Sequence, residues 1–451
     1  MKVSVVMISY NVARYIGQAL ESVINQTLKD IEIIVVDKFS NDGTREIIKD
    51  YMKKDSRIKL IDDIKGSAGY SYNAGIREAR GEYIGFVETD DYVERDMYEK
   101  LYDLAVGKDL DFIKGNFYLF VSDDNGKEVN RKHNIFDESW DGLYENVIKS
   151  DEYPELPLFD TQMWAGIYRR DYLIDNNVML NESRGAAFQD HGFQWQALVC
   201  ADKCMYLKEA FYHYRKDNIS ASMNNPRALF MDLKELEYIK EKLDTLEDLS
   251  EGYWRAFYAK VICILHYRLY QYFAGGGQVS EEINTCVKDY VAMIDQGIKD
   301  GFFDEDALDY DSYLEWFKIR ESIDGYLNYI RGMALVIVER EKNIISFVEY
   351  AKEIVIFGNG ENGKDMYWLL YRNGYGDKIA AFCDNNPSMG GSEIESVILP
   401  VSVAVKKYPS ANYIVANFKS MSLMKRQLIS LGIPVNKIHG YRWKLPEWRT
   451  I

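Results

Sequence analysis

The alternation of short apolar runs with amphipathic runs over residues 1–115 constrains this chain more than any other feature. Val3 to Ile8 is apolar apart from one Ser, and Ile31 to Val36 is a second such run, ending at Asp37. Short runs rich in Val and Ile predict strands buried on both faces. Between them Val12, Tyr15, Ile16, Ala19, Leu20 and Val23 recur at helical spacing, which predicts a helix over Asn11 to Ile24. Helices over Gly43 to Lys53 and Ser71 to Ala79 follow, with strands over Ile58 to Ile61 and Tyr83 to Val87. Such alternation implies an α/β fold with a mainly parallel sheet and crossover helices. Working residues in these sheets gather at the C-terminal ends of strands. Asp37 and the cluster Glu88-Thr89-Asp90-Asp91 both fall there.

Residues 116–222 are less regular and rich in aromatic side chains. Residues 226–345 read as helical. Leu229, Leu233, Leu236, Ile239 and Leu243 form one apolar stripe. Tyr253 to Phe273 is a second helix, ended by Gly275-Gly276-Gly277, and Glu281 to Gln296 a third, stopped by Gly297. Tyr326 to Ile344 continues the pattern. A new α/β pattern starts near Lys352: a strand over Ile354 to Phe357, the turn Gly358-Asn359-Gly360-Glu361-Asn362-Gly363, and a helix through Leu370. Strands over Ile379 to Cys383, ending at Asp384, and over Tyr413 to Ala416 complete a small doubly wound unit. Three domains are expected, over 1–222, 223–345 and 346–451.

The chain carries 71 acidic and 55 basic residues, a net charge of -16. No basic stripe interrupts this, so nucleic acid is not an expected partner. A phosphorylated substrate would need a local cation. The five cysteines are odd in number and fit no disulfide framework, which points to a reducing cytoplasm. Cys200 and Cys204 could sit one helical turn apart; two buried thiols are expected there rather than zinc. MKVSVVMISY is too short and polar for a signal peptide, and no apolar run reaches about 18 residues.

Carboxylates at a strand end can hold Mg²⁺ or Mn²⁺ together with substrate phosphates. Alone, Glu88 to Asp91 reads equally well as a solvated turn, with Asp91 capping a helix. Its company narrows the choice. Tyr10-Asn11 ends the first strand, Asp37 with Ser40-Asn41-Asp42-Gly43-Thr44 the second, and Asn73-Ala74-Gly75 precedes the cluster. In this order the motifs resemble the family 2 glycosyltransferases of the GT-A fold, over about residues 1–222.

That resemblance implies a GT-A nucleotide-sugar binding domain and assigns roles. Donor contacts fall to Ser9, Tyr10, Asn11, Asp37, Ser40, Tyr72, Asn73, Glu88, Thr89, Asp90, Trp164 and Arg215. Tyr10 would line the base pocket, and Asp37 would accept a hydrogen bond from the base. Mn²⁺ or Mg²⁺ would sit on Asp90 and Glu88, with His213 as a further ligand or a structural His. Asp190, in Phe188-Gln189-Asp190, would be the general base, or else a helix cap. Trp164 would be a sugar platform or a core residue. Phe211-Tyr212-His213-Tyr214-Arg215 with Ser220 resembles the family's closing segment, where Arg215 could reach a phosphate. Lys38, Phe39, Tyr72, Glu88 and Gln189 depart from the family's usual Asp, Gly, Arg, Asp and Glu. Those departures bear on the choice of base and sugar.

The turn at Gly358, Gly360 and Gly363, with Asp384 ending the next strand, has the context of a dinucleotide fingerprint. Residues 350–445 resemble small Rossmann-like domains attached to bacterial sugar-modifying enzymes. A second nucleotide site and a mere packing turn remain alternatives there. Oxidoreductase chemistry has no Tyr-x-x-x-Lys pair to support it. The expected reaction is inverting transfer from a nucleotide-diphosphate sugar, UDP-sugar first, to a hydroxyl of a surface glycan or lipid-linked glycan. The alternative is a catalytically degenerate nucleotide-binding scaffold. The helical domain is left to bind acceptor, the inner membrane face or a second subunit.

Overall fold

The computed structural model describes residues 1–122, 128–185, 188–218, 225–303, 310–386, 398–417 and 419–441. Ser220 lies outside them. The N-terminal part opens with β1 (Val3–Ser9), α1 (Ile16–Ile24), β2 (Ile31–Asp37), α2 (Thr44–Lys54), β3 (Ile58–Asp62), α3 (Ala68–Glu78) and β4 (Tyr83–Phe86). β1, β2 and β3 are parallel neighbours, and β4 joins β1 in parallel. The chain continues through β5 (Tyr92–Val93), α4 (Met97–Lys108), β6 (Phe112–Ser122), β7 (Glu128–His133), β8 (Val147–Ile148), α5 (Leu156–Phe159), β9 (Gly166–Arg169), α6 (Arg170–Asp175), α7 (Gln189–Cys200) and β10 (Cys204–Arg215). The sheet order is β3-β2-β1-β4-β9-β6-β10-β5, with β7 on β6 and β8 on β10.

Only half of this sheet was expected. β1, β2 and β4 are mostly apolar and buried, and that pattern is legible, whereas β3 at the sheet edge carries Lys59 and Asp62 and is only partly buried. β9 runs antiparallel to both β4 and β6. The 116–222 region is therefore the mixed half of the sheet, not an irregular insert. The first helix starts five residues later than the apolar spacing suggested, because Tyr10 to Tyr15 forms the turn at the strand end.

The helical layer comprises α8 (Ala228–Asp244), α9 (Glu251–Ala274), α10 (Glu281–Lys299), α11 (Tyr310–Glu321) and α12 (Ile323–Glu349). Gly297 does not stop α10. It is buried within the helix, where a Cβ would meet the Tyr258 ring at 2.6 Å. One continuous apolar cluster runs from Val3 of β1 to Ile337 of α12, so this layer shares its core with the large sheet. Among the described residues no helix is long and apolar enough to cross a membrane.

A separate parallel sheet of order β13-β12-β11-β14-β15 closes the chain. Its strands are β11 (Ile354–Phe357), β12 (Ile379–Asp384), β13 (Ile398–Pro400), β14 (Asn412–Val415) and β15 (Ile438–Gly440). Its helices are α13 (Glu361–Arg372), α14 (Val401–Lys407) and α15 (Met421–Ser430). α12 reaches Glu349, and its Ile344 and Val348 pack into this sheet's core. A boundary at 345/346 therefore cuts a helix. Cys200 and Cys204 do not share a helix: one ends α7 and the other starts β10. All five cysteines are free thiols.

Candidate active site

The acidic cluster follows β4 directly. Ligand oxygens of Glu88, Asp90 and Asp91 lie within 4.8 Å of one another. Asp91 does not cap a helix, since β5 follows it. Its Oδ2 accepts the Tyr212 hydroxyl at 2.8 Å, and its Oδ1 accepts the Arg215 N–H at 2.7 Å. Tyr212 in turn accepts the Glu88 N–H at 2.9 Å. Thr89 donates to the Ile8 carbonyl at 2.8 Å, which ties the loop to the end of β1. Asp90 Oδ2 accepts from the Asn218 amide at 2.7 Å. Asp91 is thus spent on holding the loop, leaving Glu88 and Asp90 as the better placed ligands.

Crowding of these carboxylates has an electrostatic signature. Burial pushes the Glu88 carboxyl well above its usual range, and the charges of Asp90 and Asp190 push it further. Burial, then Asp90 and Glu88, raise Asp91 in the same way. Lys216, just past the end of β10, is a positive charge that offsets part of this at Glu88, although burial lowers its own ammonium to about 8. Such a donor set, hard oxygens carrying excess negative charge, fits Mg²⁺ or Mn²⁺.

Asp190 occupies the first turn of α7. Burial raises its carboxyl to about 6, with the charge of Asp232 adding to the shift. A carboxylate that titrates near 6 is a stronger base than an ordinary one and is still ionised at neutral pH. Tyr72 stands with Asp190 and the acidic cluster. Its ring packs edge-on against Phe86 at 5.7 Å, and its buried hydroxyl has no hydrogen-bond partner among the described residues. Burial, then the charges of Glu88, Asp190, Asp91 and Asp90, raise its pKa well above normal. Tyr214 feels the same four carboxylates.

Other expected donor contacts turn out to be supports. Asp37 is fully buried, and its Oδ1 accepts both Ser9 Oγ at 2.7 Å and Ser40 Oγ at 2.6 Å. Its Oδ2 accepts the Ser40 N–H at 2.9 Å and Arg45 Nη1 at 2.8 Å. Four donors occupy this carboxylate, so in this arrangement Asp37 holds the turn at the end of β2. Ser40 Oγ also accepts the Asn11 N–H at 2.9 Å, and Asn11 Oδ1 accepts the Asn41 N–H at 3.0 Å. Together these residues pin the turn that presents Tyr10, which is 55% exposed with the Lys38 ammonium 4.6 Å above its ring. Tyr10 is the available face for a base. Lys38 pairs with neither Asp37 nor Asp62; Arg45 does.

Asn73 is also a support. Its amide clamps Leu180 through two 2.9 Å bonds, one to the carbonyl and one from the N–H. Trp164 is 3% exposed and stacks on Tyr212 at 4.4 Å, beneath the acidic loop, so it is not a sugar platform. Arg215 braces the acidic loop: its Nε donates to the Asp90 carbonyl at 2.7 Å and its Nη2 to Gln18 Oε1 at 2.6 Å. His213 is the clearest correction. Strand alternation directs Tyr212 and Tyr214 to the acidic cluster and His213 to the opposite face. There its ring nitrogens meet Asn130 Oδ1 at 2.9 Å and Glu94 Oε1 at 2.8 Å, between the rings of Tyr92 and Tyr118.

Residues 4–175 match the model of glycosyl transferase family 2. The chain is 31% identical to the uncharacterized glycosyltransferase EpsJ of Bacillus subtilis (strain 168) over 296 residues, 63% of this chain and 74% of that protein. The chain belongs to glycosyl transferase family 2. This transferase is also 39% identical to glycosyltransferase GlyG of Streptococcus pneumoniae serotype 4 over 228 residues, covering 48% of this chain and 70% of GlyG. A crystal structure of S. aureus TarS 1-349 in complex with UDP-GlcNAc shares the fold of this transferase, with a TM-score of 0.53 at 20% identity. It covers 74% of this chain and 91% of that one.

In the small C-terminal sheet, Gly358 at φ +116 and Gly363 make the tight strand-to-helix turn. A Cβ on Gly363 would meet the Gly358 carbonyl oxygen at 1.9 Å. Asp384 turns onto this same loop and accepts the Asn359 N–H at 3.1 Å. At the start of α13, Glu361 and Asp365 pair with Arg131 of β7 at 3.1 and 2.9 Å. Carboxylates at the helix start oppose a phosphate there. The turn at Gly358 and Gly363 packs tightly, and Glu361 and Asp365 of the helix it opens join this unit to β7.

Proposed function

We propose that this transferase moves a sugar, with inversion, from a nucleotide-diphosphate sugar to a hydroxyl of a glycan or lipid-linked glycan. The observation that carries the reading is one group of residues: Glu88 and Asp90 after β4, Asp190 at the head of α7, and the partnerless Tyr72 hydroxyl among them. UDP-sugars come first among donors, because the structure sharing this fold was solved in complex with UDP-GlcNAc.

Glu88 and Asp90 would hold Mn²⁺ or Mg²⁺, which when bound offsets negative charge on the departing diphosphate. Tyr10 stacks on the base. Asp37, Ser9, Ser40 and Asn11 hold the turn from which it projects. Asp190 accepts the proton of the acceptor hydroxyl as the new glycosidic bond forms and the bond to the diphosphate breaks. Its raised basicity suits that step. Asp190→Ala tests the assignment: transfer and donor hydrolysis are lost while UDP binding with Mn²⁺ is kept. Undiminished transfer in that variant removes the assignment.

A further inference from the structure

The helical layer meets the transferase domain at the first turn of α7, the turn that carries Asp190. Phe188 sits just before that helix in a left-handed conformation, φ 62, which is strained for a bulky residue. Such a conformation persists only where its surroundings hold it. The Arg268 guanidinium of α9 lies 4.0 Å from the centre of the Phe188 ring. Arg268 is itself 4% exposed and is ion-paired through Nε to Asp232 of α8. The Phe188 ring also packs with Ala228 and Met231 of α8.

The next residues of α7 are gripped as closely. His191 Nδ1 lies 3.9 Å from Asp232 Oδ1. Burial, helped by the charges of Lys260 and Arg268, lowers the His191 ring to about 3, so it stays neutral. At Gly192 a Cβ would come within 2.1 Å of Glu235 Oε1, so glycine permits the approach of α8. Glu235 also accepts from Asn181 at 3.1 Å. Four ionisable side chains from α8 and α9 (Asp232, Glu235, Lys260 and Arg268) are thus gathered behind one helical turn, where burial raises the Glu235 carboxyl to about 8. Burying them is unfavourable unless geometry demands it.

We propose that Arg268 and Phe188 are positioning residues for Asp190, so that α8 and α9 belong to the catalytic unit. This rests on Asp190 being the general base. The Arg268–Asp232 pair clamps the Phe188 ring, the ring fixes the left-handed entry to α7, and that entry sets where the Asp190 carboxylate points. Small misplacement of a reacting group is enough to slow a reaction by orders of magnitude.

The test uses the full chain with Mn²⁺ and a panel of UDP-glucose, UDP-galactose and UDP-N-acetylglucosamine, reading UDP release. Phe188→Leu leaves the buried ion pair intact but removes the ring. Turnover is expected to fall about tenfold or more, with UDP affinity within about twofold of wild type; Phe188→Tyr restores turnover. Arg268→Gln is expected to act in the same direction. Without any donor, amide exchange over the first turn of α7 is expected to rise in Phe188→Leu. Unchanged turnover or exchange in Phe188→Leu overturns the inference, as does loss of UDP binding together with turnover. Asp190→Ala separates the two readings. If it stays active, the base assignment fails first. If it is inactive while Phe188→Leu and Arg268→Gln match wild type, only the clamp fails.

Discussion

The Tyr212 hydroxyl donates to Asp91 at 2.8 Å while accepting the Glu88 N–H at 2.9 Å, so one strand residue holds both ends of the acidic loop. Tyr212→Phe leaves a buried carboxylate oxygen and an N–H without their partner. A loss of about 1–3 kcal/mol in stability is expected, typical for an orphaned buried group. Weaker Mn²⁺ binding should accompany it. Chemical denaturation and a Mn²⁺ titration read the two effects.

Stability without metal should fall as pH rises. Burial and mutual repulsion hold Glu88 and Asp91 above the usual carboxylate range. The folded chain therefore binds more protons than the unfolded one between the ordinary and raised pKa values. That contribution is full below the ordinary range of about pH 4 and is lost as pH climbs through the raised values. Mn²⁺ binds the charged form and should restore stability at neutral pH. Superimposed melting curves in EDTA and in Mn²⁺ across this range would count against the metal site.

Catalysis should show the opposite slope. Asp190 acts as the ionised base, and its carboxyl is raised to about 6. With Mn²⁺ saturating, kcat/KM should fall as pH drops through that value and level off above it. A pH–rate profile checks this, and a flat profile between pH 5 and pH 7 would argue for another base.

Tyr72→Phe removes a buried hydroxyl that has no partner. The ligand-free protein should then be as stable as wild type or more stable, by up to about 1 kcal/mol. If the hydroxyl waits for the transferred sugar, the thermal shift given by a UDP-sugar should shrink towards that given by UDP alone. Thermal unfolding with both ligands measures it.

How much of this was legible in the sequence follows from local signals. Strands that are mostly Val and Ile, such as Val3–Ser9 and Ile31–Asp37, announce themselves, and so does the carboxylate of Asp37 at a strand end. β6 and β10 carry buried polar residues such as Lys114, Asn116 and His213, which blur the strand signal. The alternation of Tyr212, His213 and Tyr214 held the clue that His213 faces away from the loop. Arg45 gave no signal as the partner of Asp37, since nothing near it marks a residue that reaches back to a strand end. Equally silent were Arg268 and Asp232, because a helical stripe looks the same whether its polar face meets water or another helix's first turn.

Calorimetry of UDP binding to the full chain, in Mn²⁺ and again in EDTA, bears most directly on the acidic loop's role. UDP should bind in Mn²⁺, lose most of its affinity in EDTA, and lose it equally in Asp90→Asn. No binding in Mn²⁺, or equal binding in Mn²⁺ and EDTA, would contradict a metal-assisted nucleotide-sugar site at Glu88 and Asp90.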